Sequence, residues 1–78
     1  MHTEQSILSS RRAHWCNHYR REVQRIVDEL RTAEGRLRAW RLQVPDAPEN
    51  DAHQAHIEGL RMMLNKYRAN LERWSKPA

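Results

Sequence analysis

The sequence predicts an all-α protein, a two-helix antiparallel coiled-coil hairpin, and three observations predict it. An apolar stripe at heptad spacing runs from Tyr19 to Val44, a second runs from His53 to Trp74, and a proline-bearing connector separates them. Alternating steps of four and three residues place a narrow apolar seam along one side of a helix.

The first seam is Tyr19, Val23, Ile26, Leu30, Ala33, Leu37, Trp40 and Val44. Its helix is expected over about residues 4–43. Thr3 is the expected N-cap, and Glu4 sets a negative charge in the first turn, where it suits the helix dipole. Gly35 lies off the seam and costs about 1 kcal/mol relative to alanine, too little to break the helix. A helix of that length spans about 60 Å.

The connector falls at about residues 44–47 and completes its turn by 49. Pro45 drives Val44 out of helical geometry and stops the first helix. Asp46 is the expected cap of the second, with Pro48 in the first turn and Glu49 three residues after the cap. The second helix, about residues 48–75, carries the seam His53, Ile57, Leu60, Leu64, Tyr67, Leu71 and Trp74.

Folding one helix back on the other matches the two seams layer by layer. Trp40 meets His53, Leu37 meets Ile57, Ala33 meets Leu60, Leu30 meets Leu64, Ile26 meets Tyr67, Val23 meets Leu71 and Tyr19 meets Trp74. Glu34 lands near Arg61. A short connector between antiparallel helices gives an αα-hairpin. The 78 residues therefore form a single domain.

Two features fall outside this register. The first helix is the longer, so residues 1–18 form an overhang in which Ile7, Leu8, Trp15 and Cys16 have no expected intrachain cover. A strip of Val27, Met62 and Met63 also lies off the seam. One seam is a thin core for a chain of this size, so the hairpin is expected to form a homodimer, a four-helix bundle, or to dock on another protein.

Composition narrows the function. With 31% charged residues and two glycines the chain reads as helical, and its seam argues against disorder. No apolar run approaches the ~20 residues of a membrane span, and the first residues lack the basic-then-apolar order of a signal peptide. A single cysteine, Cys16, allows no internal disulfide. The expected location is cytoplasmic. Twelve arginines and two lysines against ten acids give a net charge of +4, which suits an acidic or mixed protein surface or a nucleic acid.

Candidate chemistry is sparse. His14 and His18 stand one turn apart, but a zinc site needs further ligands; Cys16 faces elsewhere, and His53 and His56 lie at the opposite end. Cys16 as a nucleophile would need a base and a cleft, which a two-helix rod does not offer. No metal, cofactor or enzymatic activity is expected.

Nine arginines lie in the first helix. Some have acidic neighbours at helical spacing, such as Glu34 for Arg38 and Asp28 for Arg31. Arg11, Arg12, Arg20 and Arg21 do not, and they gather beside Trp15 and Tyr19. A tryptophan outside the core among arginines has the composition of an interface anchor. The expected partner-binding residues are Leu8, Arg11, Arg12, Trp15, Tyr19 and Arg20.

The resulting expectation is a non-catalytic interaction protein, an adaptor, chaperone or inhibitor, that binds another protein through the overhang and the hairpin flank. In size and shape alone it resembles the small hairpin chaperones of secretion-system needles and the short inhibitors that phages and plasmids make against host machinery. The alternative is a dimeric bundle that binds RNA or DNA through Arg11, Arg12, Arg20 and Arg21, similar in shape to plasmid RNA-binding hairpin dimers. A third reading is a structural coiled coil that forms an oligomer or filament.

Overall fold

A computed structural model describes residues 4–76, with side chains from residue 9 onward. Two helices make up the fold, α1 over Glu4–Gln43 and α2 over Glu49–Ser75, packed antiparallel along their length. The molecule is a rod of 64 × 14 × 14 Å. Helix α1 passes through Gly35 without a break. The expected Thr3 cap lies outside the described residues.

The core follows the seams. Ile26, Leu60 and Leu64 form its centre, with Val23, Leu30, Ala33 and Tyr67 packed around them. Leu37 and Ile57 are buried nearer the turn and both line a groove between the helices. Each fully buried aliphatic side chain contributes about 1.5–3 kcal/mol. Across one flank Arg61 meets Glu34 at 3.8 Å and Arg41 donates to Gln54 at 3.3 Å. Both contacts fit the expected register.

Some details differ. Val27 does not belong to a separate strip, because it packs against the Ile26 cluster. The expected pairs Glu34–Arg38 and Asp28–Arg31 do not form: Glu34 reaches across to Arg61 instead, and Asp28 accepts from Gln24 at 3.0 Å. Arg25 bridges Glu22 and Glu29, both at 2.8 Å, and these carboxylates hold its guanidinium pKa above the ordinary value, Glu22 most of all.

The turn is the larger correction. Trp40 is 37% exposed and His53 is also exposed, so that layer does not close. Ala47 and Asn50 are buried near the tip instead. The Asn50 side-chain amide donates to the carbonyls of Val44 at 3.2 Å and Pro45 at 3.0 Å. Those carbonyls belong to residues just past the end of α1, where no further helical turn supplies a donor. The Val44 N–H still donates to Trp40. Asp46 does not cap α2; Pro48 holds the capping position, with no side-chain bond. The charges of Glu49 and Asp51 in the first turn do favour that end.

Candidate interaction site

At the end away from the turn, α1 and α2 meet through aromatic rings rather than aliphatic side chains. Trp15 stands a turn before Tyr19 on α1, and the two rings stack with centroids 6.0 Å apart. Helix α2 runs far enough for Trp74 to stack on the other indole, at 6.2 Å and 28°. Tyr67 meets Tyr19 at 5.9 Å in a tilted arrangement. Trp15 is therefore not an uncovered overhang residue. The expected partner of Trp74 was Tyr19; its stacking partner is Trp15, one helical turn further from the hairpin tip.

The histidines frame this cluster. His14 and His18 present edges to the Trp15 ring, with centroids at 5.2 and 5.5 Å, and His18 also meets Tyr19 at 5.1 Å. Among the described residues no three His, Cys, Asp or Glu side chains converge as metal ligands would. Cys16 is half-buried, and the Arg20 guanidinium donates to its sulfur at 3.7 Å.

Trp15 keeps 38% of its surface exposed. A large ring held on two sides and open on a third offers contact area at little entropic cost, because its rotamer is already fixed. Along the same stretch of α1, Arg11 and Arg12 stand one turn before Trp15, and Arg20 and Arg21 follow it on other faces of the helix. Arg11, Arg20 and Arg21 are exposed and Arg12 is half-buried. None of the four forms an ion pair with a carboxylate among the described residues. Leu8 lies in α1, but its side chain is outside those described. The site thus brings Trp15, Tyr19 and the four arginines to one end of the rod, and adds Tyr67 and Trp74 from α2.

A second exposed apolar surface, absent from the expected site, sits on α2. Met62 is 73% exposed, and it lines an open groove with Gly59, Leu60 and Met63. His56 borders this groove and also an adjoining one lined by Asp28, Thr32 and Arg36 of α1. Leu42, at the hairpin tip, is 86% exposed. Heptad counting marks Met62 as off-seam but says nothing of the groove, whose lining comes wholly from α2.

No helix of the described chain is long and apolar enough to cross a membrane. Compared with known protein families, curated proteins and solved structures, the chain matches none.

Proposed function

We propose that this protein is a non-catalytic cytoplasmic interaction module, an adaptor, chaperone or inhibitor, that acts as a homodimer and grips an acidic or mixed protein surface with the open end of its hairpin. One observation carries the reading. Trp15 is braced by Trp74 and Tyr19 yet remains over one-third exposed, on a stretch of α1 that carries four arginines without carboxylate partners among the described residues. Braced aromatic rings and arginines are the side chains that dominate protein interfaces energetically. Arginine forks suit carboxylates on the partner.

A second reading rests on the same residues. The same rings and guanidiniums could hold a nucleic-acid strand, the bases stacked and the phosphates paired. The two readings separate on salt and on what is bound. The test is cross-linking in cells followed by purification, for wild type and for an Arg11→Glu, Arg12→Glu, Arg20→Glu variant. A defined protein held by wild type and released by the variant supports the module. Co-purified nucleic acid that leaves steeply with salt supports the second reading. Identical captures by both proteins would remove the open end from function.

A further inference from the structure

We infer that the groove face joining Met62 of α2 to Thr32 of α1 is where a second copy of this chain docks, related to the first by a two-fold axis through that level. The inference rests on the dimeric reading above and names the surface that the dimer uses.

Three observations converge on this face. Met62 and Met63 are exposed, and beyond its own helical backbone Gly59 beside them has open space where a Cβ would stand. The α2 part of the face is therefore apolar and has room for an incoming side chain, and methionines adapt to such a partner, whereas the α1 part carries the charges of Arg25, Asp28, Glu29 and Arg36. The register fixed by the Arg61–Glu34 and Arg41–Gln54 contacts puts Met62 level with Ala33, next to Thr32. Met62 and Thr32 both sit near the middle of the paired region, where a two-fold axis must lie if the two copies are to overlap fully.

Charge supplies the second argument. Asp28 and Arg36 both line the α1 part of this face. They lie one turn to either side of Thr32, and both are exposed. Neither forms an ion pair among the described residues. A two-fold axis at Thr32 sets Asp28 of one copy opposite Arg36 of the other, twice over, as a self-complementary interface requires. A parallel or shifted arrangement loses both pairs.

Size is the third. The paired region is about as long as α2, roughly 40 Å at 1.5 Å per residue, and the rod is 14 Å wide. Covering one such face buries about 550 Å² per copy and about 1,100 Å² in total, just past the ~1,000 Å² that a specific interface needs. The dimer is accordingly concentration-dependent, and single changes at its centre dissociate it.

The test is sedimentation equilibrium over a range of concentrations, with circular dichroism as a check on folding. The variants are Asp28→Arg, Arg36→Asp, the two combined, and Met62→Lys. All three positions are exposed in the hairpin, so the helices survive each change. Either single reversal weakens the dimer about tenfold or more, because like charges then face each other. The combined reversal restores it, and Met62→Lys dissociates it. A dimer indifferent to all four variants overturns this face and leaves the homodimer standing. A dimer weakened by the single reversals but not restored by the combined one overturns the two-fold pairing at Thr32. A wild-type protein that stays monomeric at every concentration overturns both the face and the homodimer.

Discussion

The indole of Trp15 on α1 stacks on the indole of Trp74 on α2, so one aromatic pair ties the open end of the hairpin together. Trp15→Ala and Trp74→Ala should each destabilise the protein. Their effects should not add, since either change removes the same stack. A double-mutant cycle from urea unfolding should give a coupling of about 0.5–1.5 kcal/mol. A coupling of zero would show that the rings only lie near each other.

Ile26 has no exposed surface and Leu42 is 86% exposed, although both are large aliphatic residues of α1. Ile26→Ala should cost about 2–5 kcal/mol, by lost transfer energy and the cavity left behind. Leu42→Ala should change stability by less than about 0.5 kcal/mol. Thermal unfolding of the two variants decides this directly. Comparable losses would mean that the tip is covered in solution.

Asn50 ties the connector to the start of α2 through two hydrogen bonds from one amide group. Asn50→Ala should cost about 1–3 kcal/mol, because two carbonyls lose their donor. Asn50→Asp should cost more at neutral pH, since an ionised carboxylate has no hydrogen to donate and would be buried beside carbonyl oxygens. The wild-type site is not fully satisfied either, as Asn50 Oδ1 is buried without a partner. If Asp proved as stable as Asn, the hydrogen-bond account of the turn would be wrong.

Gly35 sits mid-helix with open space where a Cβ would stand, and its φ is not positive. Gly35→Ala should therefore stabilise the protein by about 0.4–1 kcal/mol, by raising helix propensity and stiffening the unfolded chain. A rise in melting temperature with an unchanged sedimentation profile is the expected result. Destabilisation would indicate that something covers this side of α1.

The seams were legible because their residues obey one periodicity and one register. Ile26, Leu37, Ile57, Leu60 and Leu64 all lie where heptad counting puts them. The turn was legible in position but not in mechanism. Pro45 and Pro48 mark where the chain bends, and Asp46 looks like a cap, yet Asn50 holds the turn. A signal for it existed: Asn50 stands one heptad before Ile57, at a seam position, and a polar residue there needs partners. At the other end, counting by seam placed Tyr19 against Trp74. Ring size defeats that rule, because an indole reaches a full turn along the axis and so Trp15 is covered too. The Met62 groove was legible only in part: counting puts Met62 and Met63 off the seam, but the hollow they form with Gly59 and Leu60 depends on how those side chains are placed.

The hairpin is fastened unevenly along its length. At the tip the residues that touch are near neighbours in sequence, so closing them confines little chain. At the far end Trp15 and Trp74 must be brought together across almost the whole molecule, and the entropy lost grows with the length of chain enclosed. Folding therefore resembles a zipper that starts at Asn50 and finishes at the indoles. Run backwards, the same zipper opens first at the indoles, so amide hydrogens there should exchange with solvent sooner than those beside Ile57. The surface proposed to hold a partner is thus also the last part of the molecule to fasten, and a bound partner would act as the catch that keeps it shut.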